Sequence, residues 1–152
     1  MPLKKILLLT AAIIAALVFF YPQLLVPVKS SPAVVAPQHK VSSDDSIAQA
    51  FASQRSDLQV SGQGTVEKVL PDDRRGSKHQ RFILRLANGQ TLLVAHNIDL
   101  APRIPNLRSG DTVEFYGEYE WSHQGGVLHW THHDPRGQHV PGWLQHQGQR
   151  YQ

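Results

Sequence analysis

Five of the nine histidines and all three tryptophans of this 152-residue chain fall between Tyr119 and Trp143. Imidazoles exchange protons near neutral pH and ligate metals, while indoles offer stacking faces or bury large areas. Three imidazoles beside a carboxylate would suit a divalent metal such as zinc or manganese. The candidate metal set is therefore His96, His129, His133, Asp134 and His139. Side-chain alternation puts His129 and His133 on one face of a strand running from Val127 to His133, with His132 on the other. The Pro135-Arg136-Gly137 turn can then fold His139 back toward them. No recognised zinc spacing joins these residues. The competing reading has the imidazoles bonded to backbone and packed on Trp130 and Trp143. A metal-dependent hydrolase or nuclease, with Glu118 or Asp134 as proton acceptor, is the enzymatic version of the first reading. The residues leave open whether the chain is an enzyme.

A second candidate site is cationic. Lys68, Arg74, Arg75, Lys78, Arg81 and Arg85 cluster in sequence. Arg81 and Arg85, with Tyr116 and Trp130, are candidate ligand-binding residues for an acidic polymer such as nucleic acid or a glycan. The sequence pI of about 9.4 points the same way. From Leu58 onward, however, ten Lys and Arg stand against nine Asp and Glu, so the excess charge lies in the N-terminal part. A solvated loop face competes with the groove.

Elements able to position these residues follow from local patterns. The chain has no cysteine, which excludes a disulfide framework and any thiolate metal site. Lys4 and Lys5 precede an uncharged run from Ile6 to Val28. That run lies between the roughly 20 apolar residues of a membrane span and the roughly 7 to 15 of a signal h-region. No small-residue cleavage site follows Phe20 directly. Residues 1–28 are thus expected to be a signal-anchor, a transmembrane helix that leaves the following domain on the periplasmic side of the inner membrane. Cleavage and secretion is the alternative. Residues 29–57 read as a linker with a short helix, capped by Ser43 or Asp44 and carrying Ile47, Ala50 and Phe51 at helical spacing. That helix could dock on the domain or end the tether.

Residues 58–152 carry strand punctuation. Gly62 and Gly64 open a strand through Val66 and Leu70. Phe82, Leu84 and Leu86 alternate with Arg81, Ile83 and Arg85, and Asn88-Gly89 is a hairpin signal leading to Thr91 through Asn97. Val113, Phe115, Gly117, Tyr119 and Trp121 share one face of a fourth strand, and Gln124 to Gly126 turn into a fifth. The expected fold class is all-β, a small five-stranded barrel like the oligonucleotide/oligosaccharide-binding (OB) fold, preceded by the N-terminal hydrophobic helix and linker. The expected core is Val66, Phe82, Leu84, Leu86, Val113 and Phe115, joined by Leu92 and Val94.

These residues also carry a family resemblance. Gly62-Gln-Gly-Thr-Val66, Pro71-Asp-Asp73, His79-Gln-Arg-Phe82, Leu93 to Asp99, Gly110 to Trp121, His129-Trp-Thr-His132, and His133-Asp-Pro135 with His139 and Gly142-Trp143 together resemble the bacterial Domain of Unknown Function 3465. The resemblance covers about Leu58 to Gln152. It implies an exported or membrane-tethered domain of the bacterial cell envelope and brings no activity with it.

Overall fold

The computed structural model describes residues 43–152. The expected signal-anchor over 1–28 and the linker up to residue 42 lie outside the described residues. Among the described residues, no helix is long and apolar enough to cross a membrane. They form one helix, α1 (Ser43–Ala52), and seven strands: β1 (Leu58–Asp73), β2 (His79–Arg85), β3 (Thr91–Asn97), β4 (Thr112–Glu120), β5 (Val127–His129), β6 (Trp143–His146) and β7 (Gln149–Tyr151).

Spacing of three between Ile47 and Ala50 gives α1 one apolar face, and both residues are buried in the same core as the strands. The helix is thus part of the domain rather than the end of a tether. Asp44 holds it there. Its carboxylate accepts the Ala87 N–H at 2.9 Å and its backbone carbonyl accepts the Asn88 side-chain amide at 3.3 Å, so Asp44 ties α1 to the β2–β3 hairpin. Gln54, in a left-handed conformation at φ 54°, ends the helix.

β1 is long because it serves two partners. Leu58 to Thr65 pair antiparallel with β4, and Thr65 to Asp73 pair antiparallel with β2. Register shifts between Val66 and Lys68 and between Leu70 and Asp73 mark the bulges that bend it from one partner to the other. β2 and β3 form the expected hairpin at Asn88-Gly89, where Gly89 has φ 88°. β3 then pairs parallel with β5, and β5 pairs antiparallel with the end of β4. The order β1-β2-β3-β5-β4 returns to β1, a closed ring of five strands. Alternation along each strand sends Val66, Phe82, Leu84, Leu86, Leu92, Val94, Val113 and Phe115 inside, and all eight are buried.

Two features depart from the sequence reading. The fifth strand stops at His129 instead of reaching His133, because Trp130 adopts a left-handed φ of 50° that a strand cannot continue through. Alternation therefore no longer governs the residues after His129. The chain also forms a further hairpin, β6–β7, with β6 on the N-terminal half of β4 and its turn at Gln147 and Gly148. β6 contributes only Leu144 and His146 to the buried side, too short an alternation to read from sequence.

Candidate functional site

Where β2, β3 and the segment after β5 meet, the interior is polar. Gln80 faces inward beside His96, its register partner on β3. Its side chain accepts the Ile104 N–H at 2.9 Å and donates to the Ile104 carbonyl at 3.0 Å, which pins the β3–β4 connection. His96 is fully enclosed. Its Nε2 lies 3.1 Å from the Pro102 carbonyl, which can only accept, so Nε2 carries the proton and Nδ1 accepts from the Thr131 hydroxyl at 2.9 Å. Burial pushes the His96 imidazole down to about 4, with the Pro102 contact opposing. A neutral imidazole with both nitrogens engaged joins β3 to the chain beyond β5. The structure keeps His96 apart from the other proposed ligands in this sense.

Outside this layer lies a hollow of about 140 Å³, lined by His79, Ala95, Asn97, Leu100, His129, Trp130 and His132. Register explains the gathering. His79 pairs with Asn97 and Arg81 with Ala95 across β2 and β3, while Leu93 pairs with Val127 across β3 and β5, which sets Ala95 and His129 side by side on the outer face. His79 Nδ1 is 2.8 Å from the Ser77 carbonyl, and His132 Nδ1 is 2.8 Å from the His133 carbonyl. Each of these bonds requires the proton on Nδ1, leaving Nε2 as the variable nitrogen. His129 Nε2 is buried without a hydrogen-bond partner. It stands 3.5 Å from Glu118 Oε1 and 3.6 Å from Glu120 Oε2, contacts that become ion pairs on protonation.

The loop from Trp130 to Gly142 closes one side. His139 returns across the Pro135-Gly137 turn, with its ring stacked on Trp130 at 3.6 Å between centroids and 13° between planes. Its Nδ1 is 3.7 Å from Glu118 Oε2, so one carboxylate has His129 on one oxygen and His139 on the other. Asp134 shapes the loop: its carboxylate accepts the backbone N–H groups of Arg136, Gln138 and His139 at 2.9, 2.6 and 2.9 Å. Those bonds, the Arg136 one foremost, hold its pKa down to about 2. Gly142 seats the loop's end, because a Cβ there would enter the Trp130 and Tyr116 carbonyl oxygens.

Of the proposed metal set, His129 and His139 thus meet around Glu118, His96 is sealed inside, Asp134 is saturated by its own loop, and His133 is exposed. Among the described residues, no group of three His, Asp or Glu side chains is placed to hold a metal ion. The proposed ligand-binding residues divide similarly. Trp130 lines the hollow. Arg81 lies on the same outer face but donates through Nε and a terminal nitrogen to the Pro71 carbonyl at 3.1 and 3.0 Å, and Arg85 pairs with Glu67 at 2.7 Å. Tyr116 instead faces Trp143, with ring centroids 6.3 Å apart, on the outer side of β4 and β6. His79 was missed in sequence, although it lies within His79-Gln-Arg-Phe82, because nothing local marks a strand-initial histidine as the wall of a distant loop's hollow.

The family model for DUF3465, a protein of unknown function, matches residues 30–152. The chain belongs to this family. The DUF3465 match takes in α1 and the β6–β7 hairpin as well as the ring, so every described element lies inside the family's span. No curated protein matches the chain.

Proposed function

We propose that the five-stranded ring is an OB-like barrel serving as a binding module of the bacterial cell envelope, with its ligand held at the Trp130 hollow. Residues 1–28 would tether it to the inner membrane with the domain facing the periplasm, or direct its secretion after cleavage. One observation carries the binding reading: on the outer face of β3 and β5, a tryptophan and three imidazoles wall one hollow, with Nδ1 of His79 and of His132 each spent on a backbone carbonyl. With Nδ1 committed, Nε2 is the atom of each of these two rings that a ligand can use. The ligand class proposed is an acidic polymer: no carboxylate is among the residues lining the hollow, and exposed Arg74 and Arg75 precede His79 in the loop entering β2.

The test is titration of the domain with a fluorescent single-stranded oligonucleotide and with a carboxylated oligosaccharide, for the wild type and Trp130→Ala. Binding of either polymer that Trp130→Ala weakens at least tenfold, in a variant that stays folded, supports the module. Equal binding by both proteins would move the site elsewhere. The tether is tested separately, by asking whether the full chain fractionates with membranes and whether protease reaches the domain from the periplasmic side.

A further inference from the structure

We infer that His79 and His132 make the hollow a proton-gated phosphate site, one that captures a phosphodiester of single-stranded nucleic acid when their Nε2 atoms become N–H donors. This deepens the binding-module reading and rests on it. His79 Nδ1 and His132 Nδ1 are each committed to a backbone carbonyl, so both rings keep the same atom, Nε2, for the gain and loss of a proton. In the neutral ring that atom is an acceptor and repels phosphate oxygens; in the charged ring it is a charge-assisted donor. Because folding fixes which nitrogen changes role, one protonation reverses the polarity of the wall.

The surroundings favour a phosphate with a base beside it. Trp130 supplies an aromatic wall and Leu100, 45% exposed, an apolar rim. Bases stack on such faces with little regard to sequence. The charged and titratable neighbours come from every adjoining element. Asp73 and Asp99 act electrostatically on His79. Lys78 pairs with Asp99, and Arg81 lies two positions along β2 on the same face. His96 lies beneath and feels both His79 and His132. Glu118 and Glu120 face His129 Nε2 at 3.5 and 3.6 Å, and His139 stacks on Trp130. Exposed Arg74 and Arg75 precede His79 in the loop entering β2, where a polyanion's neighbouring phosphates could be met. None of these carboxylates is among the residues lining the hollow.

The experiment is fluorescence anisotropy of a labelled single-stranded oligonucleotide at constant ionic strength between about pH 8 and pH 5.5, with circular dichroism at each pH as a check on folding. His79→Asn and His132→Asn are the variants, since asparagine keeps a donor near Nδ1 and removes the titrating nitrogen. For the wild type, affinity should rise at least tenfold as pH falls, and each variant should lose a large part of that slope. His79 is only half-buried, so His79→Asn keeps the test decisive if His132→Asn fails to fold. Nucleic-acid binding with a pH slope equal in wild type and His79→Asn overturns the gate and leaves the module standing. Binding of a carboxylated oligosaccharide but of no oligonucleotide overturns the choice of phosphate alone. Binding of neither overturns both.

Discussion

The enclosed histidine and those lining the hollow behave oppositely. His96, inside, has an acceptor on one nitrogen and a donor on the other, and burial keeps it neutral. His79, half-buried, and His132, 4% exposed, line the hollow with Nδ1 spent on a backbone carbonyl and Nε2 left for something else, while His129 Nε2 faces Glu118 and Glu120. The lesson is that an imidazole's role here follows from how many of its nitrogens the fold consumes, not from its place in a histidine-rich stretch. Where both are consumed the ring is a strut; where one is left it is available to a ligand.

The largest effect should come from breaking the closed side. Phe115→Ala, at a fully buried position, should cost about 3 to 5 kcal/mol by chemical denaturation. Gly142→Ala should cost about 3 kcal/mol or more, because its Cβ would meet two backbone oxygens that cannot move away singly.

A sharper contrast lies in pH. With a folded value of about 4 for His96 and an ordinary value near 6.5 when unfolded, the unfolded chain binds the extra proton between these limits. His96 therefore contributes stability that is fully present above about pH 6.5 and is lost as pH falls toward 4, an expected loss of about 3 kcal/mol. His96→Gln should flatten that part of the stability profile, whereas His79→Asn should leave it in place. Equal flattening by both would erase the distinction between strut and wall.

Smaller effects are expected on the open side. Trp130→Ala removes the His139 stack and should cost about 1 to 2 kcal/mol in thermal melts while abolishing most ligand affinity. His133→Ala, at an exposed side chain, should change stability by less than about 0.5 kcal/mol. Added zinc or manganese should not move the melting temperature of the wild type, and a saturable upward shift would show that donors rearrange around an ion.

Much of the ring was legible because alternation and turn chemistry are local. Phe82, Leu84 and Leu86 announce an inward face by themselves, and Asn88-Gly89 announces the hairpin that follows. The candidate site was legible only in part. Residue type and spacing mark Trp130, His129 and His139, but they offer Glu118, which joins the two histidines, only as a proton acceptor, and give no sign that His79 reaches the hollow. The extrapolation of β5 to His133 failed at one residue, Trp130, whose left-handed backbone no propensity of tryptophan foretells.

By itself the sequence determined which side chains could face a core, where the hairpins turn, and that no thiol chemistry is available. Those properties are carried by residue type and by spacings of two to four. Tertiary structure alone decided that α1 packs into the core, that β3 and β5 run side by side in parallel, and which nitrogen of each histidine is left over. Each of these depends on partners many residues away: Asp44 reaches Ala87, His96 reaches Thr131, and the hollow is assembled from β2, β3 and the loop beyond β5. A local pattern fixes the direction of a side chain, but its hydrogen-bond partner is fixed only when the ring closes.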